Sequence, residues 1–97
     1  MIGKRQKRQS KLKKYKLYIR KRALKTLQSL QAETKMRIKD AIGRLEKIPR
    51  HKGIRKLIGS DNLYRLRVGN YRIIYSIDDE NLEIEILLIN KRADVYR

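Results

Sequence analysis

Residues 63–89 read LYRLRVGNYRIIYSIDDENLEIEILLI, and polar and apolar side chains alternate along most of this stretch. A period of two residues is typical of strands that bury one face. Gly69 and Asn70 interrupt the alternation, and these two residues favour a tight turn between antiparallel strands because both tolerate positive φ. A second turn is predicted at residues 78–81. The stretch therefore predicts an antiparallel meander of three strands.

The alternation also assigns the side chains of the meander to two sheet faces. We expect one face to be buried, with a core formed by Tyr64, Leu66, Val68, Tyr71, Ile73, Tyr75, Ile77, Leu82, Ile84, Ile86 and Leu88. The opposite face is expected to display Arg65, Arg67, Arg72, Ile74, Ser76, Glu83, Glu85, Leu87 and Ile89. Because antiparallel sheets commonly leave one face in solvent, we expect this second face to be open.

The residues before the meander predict one strand and two helices. Residues 15–20 alternate like a half-buried strand. Apolar residues then recur at helical spacing, first as Ala23, Leu24, Leu27 and Leu30 and then as Ile38, Ala41, Ile42 and Leu45. A turn is predicted at residues 32–34, and Pro49 ends the second helical pattern. Gly43 would weaken this helix, so we expect another backbone to pack closely there.

These elements predict an α+β domain in which a small antiparallel sheet packs against an N-terminal helical hairpin. The connection at residues 51–53 is expected to be a loop, with His51 as an ordinary exposed histidine rather than a catalytic one. Tyr15 and Tyr18 are expected to be packing residues, like the tyrosines of the meander.

The composition restricts the classes of function. The chain has 97 residues, 27 Lys and Arg, 10 Asp and Glu, and a net charge of +17. It has no cysteine and one histidine, so we expect neither a metal site nor another cofactor. The short apolar runs predict no membrane span or signal peptide, and a cytoplasmic location. Such a positive charge favours a polyanion as partner, and nucleic acid is preferred to a membrane surface.

The positive charge is concentrated in the first part of the chain. Residues 1–14 contain seven basic residues, no acid and few apolar residues, so we expect a flexible basic arm, followed by a single domain at residues 15–97. The arm is either a solvated tail or a segment that follows phosphates. The sequence leaves both interpretations open.

Two groups of residues are candidates for chemistry. Arg65, Arg67 and Arg72 lie on adjoining predicted strands, where their guanidinium groups can converge on one phosphate. They can equally be ordinary polar residues of a half-exposed sheet. At the C-terminus, Lys91, Arg92 and Tyr96 are expected to reach the same face or its rim. Tyr96 is either a loosely docked aromatic or a group that stacks on a base or moves a proton.

Several spaced segments together resemble the RelE/ParE superfamily of bacterial and archaeal toxins. They are the run Arg22 to Lys25, the run Lys56 to Gly59, the run Leu63 to Tyr75, Asn90 to Arg92, and Asp94 to Arg97. The resemblance covers residues 15–97 and implies a small antiparallel sheet carrying a helical hairpin, which agrees with the architecture predicted from periodicity.

The resemblance implies one of two activities. RelE-like members cleave messenger RNA in the ribosomal decoding site without metal, by attack of a ribose 2′-hydroxyl on the adjacent phosphate, whereas ParE-like members inhibit DNA gyrase. The RelE-like mRNA interferase branch is favoured because its basic cluster and terminal tyrosine align with Arg65, Arg67, Arg72, Arg92 and Tyr96. Lys56, Lys91 and Arg97 are expected to contact RNA. Well-known nucleases of the family carry lysine where this chain has Arg65 and Arg67, so the identity of the general base stays open.

The expected partners follow from the same resemblance. They are a RelB-like antitoxin, the ribosome and messenger RNA, with DNA contacted only through the antitoxin complex and no membrane partner. A type II toxin that acts as a ribosome-dependent endoribonuclease is the preferred hypothesis. A gyrase inhibitor and a non-catalytic basic RNA-binding domain are the alternatives.

Overall fold

The computed structural model describes residues 14–91, which form two helices and a five-stranded sheet. The elements in chain order are β1 (Lys16–Ile19), α1 (Lys21–Gln28), α2 (Ala32–Arg44), β2 (Arg55–Lys56), β3 (Leu63–Val68), β4 (Tyr71–Asp78) and β5 (Glu83–Lys91). The strand order across the sheet is β1-β5-β4-β3-β2. The predicted arm at residues 1–14 and the predicted residues Arg92, Tyr96 and Arg97 lie outside the described residues, except for Lys14.

The predicted α+β fold and the antiparallel meander are confirmed. β3 pairs with β4 and β4 with β5, and Val68 faces Tyr71 across the two-residue turn, in which Gly69 has φ +59°. The sheet is nevertheless mixed, because β1 runs parallel to β5. A short fifth strand, β2, was not predicted, since two residues are too few to show an alternating pattern.

The helical hairpin is also confirmed, with two corrections. The predicted turn at residues 32–34 is wrong, because α2 already begins at Ala32. Ala32 has a high helix propensity and Glu33 interacts favourably with the positive end of the helix dipole, so this segment favours the first turn of a helix. The close backbone packing expected at Gly43 is wrong as well. Apart from its chain neighbours and the backbone of its own helix, no atom of the described residues lies within 4 Å of the position that a Cβ would occupy.

The core lies between the helices and one sheet face. Its buried members come from both helices, from the residue after α2 and from the three strands of the meander, and they are Ala23, Leu27, Ile38, Ala41, Ile42, Leu45, Tyr64, Leu66, Ile73, Tyr75, Ile77, Ile84, Ile86 and Ile89. Neither helix in residues 14–91 has the length and apolarity needed to cross a bilayer. The opposite face of the sheet carries no helix of the described residues.

A β-bulge in β5 changes the predicted face of the residues after it. Ile74 pairs with Leu88 and Tyr75 pairs with Ile86, so Leu87 is an extra residue without a partner in β4. Such a bulge reverses the alternation of side chains. Leu88 is therefore not in the core as predicted, and Ile89, which was expected on the open face, is buried.

Candidate nucleic-acid interface

The open sheet face brings three predicted arginines together. Arg67 lies directly opposite Arg72 in the β3–β4 register, and Arg65 is two residues away on β3. Opposite residues in an antiparallel pair have Cβ atoms about 4.5–5.5 Å apart, and diagonal neighbours are within reach of long side chains. We call Arg65, Arg67 and Arg72 the arginine cluster. It lies near the Gly69-Asn70 turn.

Two members of the arginine cluster, Arg67 and Arg72, have charges that no acid of the described residues neutralises. Among the ion pairs of residues 14–91, none involves Arg67 or Arg72. Like charges directly opposite each other in a sheet destabilise it. The close placement of Arg67 and Arg72 is therefore a cost to the free protein that a bound anion would remove.

Arg72 has a neighbour that the sequence analysis missed. Asn90 lies opposite Arg72 in the β4–β5 register and shares its sheet face because of the bulge. Within the described part of the chain, the buried Nε of Arg72 and the buried Oδ1 of Asn90 both lack a hydrogen-bond partner. An unsatisfied buried polar atom costs about 1–3 kcal/mol. A donor and an acceptor are thus adjacent on one face without being bonded to each other.

The short strand β2 adds a second residue that was missed. Arg55 pairs with Arg65 and therefore lies on the open face, whereas Lys56 pairs with the core residue Tyr64 and lies on the other face. Both side chains are exposed. Of these two neighbouring cations, Arg55 extends the arginine cluster, and the predicted RNA contact Lys56 is separated from it by the sheet.

The predicted residues at the C-terminus are only partly described. Lys91 is the last residue of β5 and pairs with Tyr71, so it lies on the helix-packed face, with an exposed side chain at the end of the sheet. This position is at the rim of the open face rather than on it. Arg92, Tyr96 and Arg97 lie outside the described residues, and their roles stay predictions.

The open face has the opposite charge at its other end. A shallow pocket there is lined by Tyr18, Asp78, Glu83 and Glu85, and Arg20 forms an ion pair of 3.2 Å with Glu85. Tyr18 has 47% of its surface exposed, so its predicted packing role is wrong. Leu63, Ile74 and Leu88 lie half-buried between the two ends. An anionic strand would be attracted to the arginine end and repelled from the acidic end.

A further arginine, Arg50, is held in a different environment. Its Nη2 donates to Oδ2 of Asp79 at 2.7 Å, its Nε donates to the Tyr64 hydroxyl at 3.0 Å, and its guanidinium lies 5.1 Å from the centroid of the Tyr64 ring. Tyr15 donates to Asp79 at 2.7 Å. The hydrogen bonds from Arg50 and Tyr15 hold the pKa of Asp79 below its usual value. We call Arg50, Asp79, Tyr15 and Tyr64 the Arg50 cluster, and its contacts join four segments of the chain.

His51 differs from the expected exposed loop histidine because it is half-buried. Its Nδ1 lies 2.7 Å from the carbonyl oxygen of Lys52. Since a carbonyl only accepts hydrogen bonds, Nδ1 carries the proton. The Nε2 atom is buried and has no partner among residues 14–91.

The chemistry of the arginine cluster follows from its side chains. Guanidinium groups stay protonated, bind two phosphate oxygens at once and stabilise negative charge, but they do not act as bases at neutral pH. Asn90 does not exchange a proton either. The arginine cluster and Asn90 can therefore bind and polarise a phosphate, but they supply no proton acceptor.

Comparisons with known proteins agree with this fold. The model of the family described as ParE toxin of type II toxin-antitoxin system, parDE, matches residues 5–96. A Methanocaldococcus jannaschii protein named RelE1 is 34% identical over 87 residues, which cover 87% of this chain and 97% of that protein. Toxin RelG of Mycobacterium tuberculosis is 44% identical over 43 residues, which cover 44% of this chain and 46% of that protein.

Solved structures of RelE proteins have the same fold. The archaeal RelE–RelB complex from Pyrococcus horikoshii matches with a TM-score of 0.72 and 37% identity, over 81% of this chain and 96% of that chain. The isolated E. coli RelE toxin matches with a TM-score of 0.72 and 27% identity, over 84% and 90% of the two chains. Because the family model spans nearly the whole sequence and a RelE relative is covered almost completely, the chain belongs to the RelE/ParE superfamily of toxins of type II toxin-antitoxin systems.

Proposed function

We propose that this toxin is an endoribonuclease that cleaves messenger RNA in the decoding site of the ribosome, without a metal ion. The observation that carries the proposal is the pair Arg67 and Arg72, which face each other on the open sheet face without an acidic partner among residues 14–91. Support for the RelE-like branch comes from the M. jannaschii RelE1 protein and from the P. horikoshii and E. coli RelE structures, which match over most of the chain.

The proposed reaction is an attack of a ribose 2′-oxygen on the adjacent phosphorus, with release of the 5′-oxygen of the next nucleotide. Negative charge gathers on the non-bridging phosphoryl oxygens during this step. Arg72 and Arg67 stabilise that charge, and such preorganised donors contribute about 2.7–4 kcal/mol each to catalysis. Arg65 and Arg92 bind the same phosphate together with Arg67 and Arg72.

Tyr96 is assigned to take the proton of the 2′-hydroxyl, with water or a group of ribosomal RNA as the alternative base. The departing 5′-oxygen receives its proton from the protonated base or from water. Since arginine is a poor acid and base, the protein depends on the ribosome to hold the messenger in a reactive geometry, and orientation alone supplies several kcal/mol. Lys91 and Arg97 bind the RNA near the end of the sheet. Lys56 contacts RNA from the helix-packed face.

We further propose that the partner in the cell is a RelB-like antitoxin. The matching structures from P. horikoshii and E. coli include complexes of RelE with RelB. An acidic segment of the antitoxin would neutralise the arginine cluster and cover the site. The antitoxin would also make the contacts of the complex with DNA.

The experiment is induction of the toxin without its antitoxin, followed by primer-extension mapping of one messenger and an assay for DNA breaks. We expect cleavage at sites within translated codons and no DNA breaks. Purified ribosomes programmed with the same messenger should reproduce the cuts, and free messenger should be cut far less. Intact messengers with DNA breaks would instead support gyrase inhibition. Binding of RNA without cleavage on ribosomes would support a non-catalytic RNA-binding domain.

The role of Tyr96 is tested by Tyr96→Phe, with Tyr18→Phe as the matched control. Tyr18 is also an exposed tyrosine of the open face, but it lies at the acidic end. If Tyr96 is the base, cleavage falls about 10²–10⁴-fold in Tyr96→Phe, the usual contribution of acid–base catalysis, and stays unchanged in Tyr18→Phe. Equal activity of both variants would assign the proton transfer to water or ribosomal RNA.

A further inference from the structure

A second basic site lies behind the arginine cluster, between α2 and the outer edge of β3. It is a cleft of about 400 Å³, and its polar lining consists of Arg37, Asp40, Arg44, His51 and Arg67. We call these five residues the α2 cleft. Three of them are arginines and one is an acid, so the cleft carries a net positive charge with neutral histidine.

The arginines of the α2 cleft have no acidic partner in the described part of the chain, although Asp40 is close to them in sequence. Arg37 and Arg44 lie seven residues apart on one face of α2, which separates their Cα atoms by about 10.5 Å along the helix axis. Asp40 lies between them, but no ion pair joins it to either residue. The Arg37 guanidinium extends to the Gly69 turn, with Nη1 and Nη2 each 3.9 Å from the position of a Cβ on Gly69.

The α2 cleft is continuous with the arginine cluster around the edge of β3. β2 pairs with residues 64–65 of β3, so within residues 14–91 no strand covers the outer edge of residues 66–68. Arg67 belongs to both sites, because it lines the cleft and also faces Arg72 on the open face. A chain of phosphates held by the arginine cluster can therefore pass the β3 edge and continue into the cleft.

We propose that the α2 cleft binds the phosphodiester backbone of RNA next to the linkage that the arginine cluster holds. This inference rests on the proposed function for the identity of the nucleic acid. Guanidinium groups that line an open path and form no ion pair are typical of backbone binding, which depends on charge and carries no sequence information. Asp40 repels phosphates and limits where along the cleft they bind. The RNA is either the messenger itself or ribosomal RNA, which have the same backbone chemistry.

The test compares two double variants of the same helix with the same change in charge. Arg37→Gln with Arg44→Gln removes the two cations that α2 contributes to the cleft and keeps Arg67. Lys35→Gln with Lys39→Gln removes two cations that line a different groove on α2, beside Leu24 and Ile42. The ligand is a short single-stranded RNA with 2′-O-methyl groups, which binds but is not cleaved. Its affinity is measured by fluorescence anisotropy over a range of KCl concentrations.

We expect the arginine double variant to lose about tenfold or more in affinity at low salt. Its slope of log K against log salt should fall by about 1.4, because each phosphate contact with single-stranded nucleic acid contributes about 0.7. The lysine double variant should keep most of the affinity and the slope. Asp40→Asn should bind more tightly than the unmodified protein. Thermal melting of each variant verifies that the fold is retained.

A second arm uses ribosomes, with and without messenger, and measures binding of the same variants. A selective loss for the arginine pair on the free RNA supports messenger as the ligand of the cleft, and a selective loss on empty ribosomes alone supports ribosomal RNA. Equal losses for the arginine and lysine pairs in both arms would overturn the proposal, since the effect would then be one of overall charge. Because the RNA probe is not cleavable, a failure of the nuclease assignment leaves this result intact.

Discussion

Arg50 packs beside the sheet and Arg72 lies in β4, and the two arginines differ in the partners of their guanidinium groups. Arg50 donates hydrogen bonds to both oxygens of Asp79 and to the Tyr64 hydroxyl. Arg72 has a buried Nε without a partner in residues 14–91, and its cross-strand neighbours include Arg67, another cation. The protein therefore uses the same residue type in one place to join segments of the fold and in another to keep a positive charge available.

The difference has a physical basis in the neighbours that each position provides. The turn after β4 supplies Asp79 to Arg50, and mutual hydrogen bonding raises the pKa of Arg50 further above its ordinary value. The Gly69-Asn70 turn supplies no acid to Arg67 or Arg72. An arginine that is paired within the protein stabilises the fold, but its hydrogen-bond donors are no longer free to bind a ligand. Unpaired like charges lower the stability of the free protein, and a bound phosphate would offset this loss.

The largest effect is expected for Arg72→Ala, assayed by cleavage of messenger on purified ribosomes. Removing one preorganised donor from the phosphate should lower the single-turnover rate about 10²–10³-fold. The melting temperature should stay the same or rise, because the repulsion with Arg67 is removed. Arg72→Lys keeps the charge and should recover part of the rate. A large loss of stability with unchanged cleavage would show that Arg72, like Arg50, stabilises the fold and does not take part in cleavage.

Arg50→Ala should have the complementary result. It removes the hydrogen bonds to Asp79 and Tyr64 and leaves the Tyr64 hydroxyl without its donor, so the free energy of unfolding should fall by about 1–2 kcal/mol. Because Arg50 is outside the arginine cluster, cleavage per folded molecule should change little. Urea denaturation measures the first quantity, and the ribosome assay, corrected for the folded fraction, measures the second. Lost cleavage in a fully folded variant would instead add Arg50 to the site.

Asn90→Leu separates the stability of the sheet from the function of the cluster. The substitution removes a buried acceptor that has no partner in the described structure. The free energy of unfolding should therefore stay the same or increase by up to about 1 kcal/mol. If Asn90 positions the Nε of Arg72 when RNA binds, the cleavage rate should fall by about tenfold or less, with little change in RNA affinity. If Asn90 had only a structural role, its substitution would not raise the free energy of unfolding and at the same time lower the cleavage rate.

The sequence predicted the position of Arg72 but not the neighbours that distinguish it from Arg50. Alternation places Arg65, Arg67 and Arg72 on one face, because polar and apolar residues alternate along β3 from Tyr64 onward and, apart from Ile74, along β4. The run of four apolar residues from Ile86 to Ile89 contains no polar residue, so its sequence does not indicate which side chains face the core. The bulge at Leu87 could therefore not be predicted. The side of the sheet on which Asn90 lies depends on this bulge and could not be predicted either.

Other features depend on contacts between distant segments. Arg55 lies in a strand too short to alternate, so its pairing with Arg65 was not predicted. Arg50 and Asp79 are 29 residues apart, and the α2 cleft exists because a helix packs beside the free edge of β3. Local patterns contain no information about such pairings. The terminal residues Arg92 and Tyr96 were proposed from the family resemblance alone, and the described residues do not include them.

The smallest effect is expected for Asp79→Asn, followed as stability against pH. The pKa of Asp79 is lower in the folded protein than in the unfolded chain, where it is about 3.9. Its stabilising effect is therefore complete above that value and is lost as the pH falls through the folded pKa. Because Arg50 and Asp79 are both largely exposed, the contribution at neutral pH should be below about 1 kcal/mol. The unmodified protein should be more stable than the variant at pH 7, and the two should converge in acid. A constant difference across the whole range would show that Asp79 acts through packing rather than through its charge, and the contrast between Arg50 and Arg72 would then rest on hydrogen-bond geometry alone.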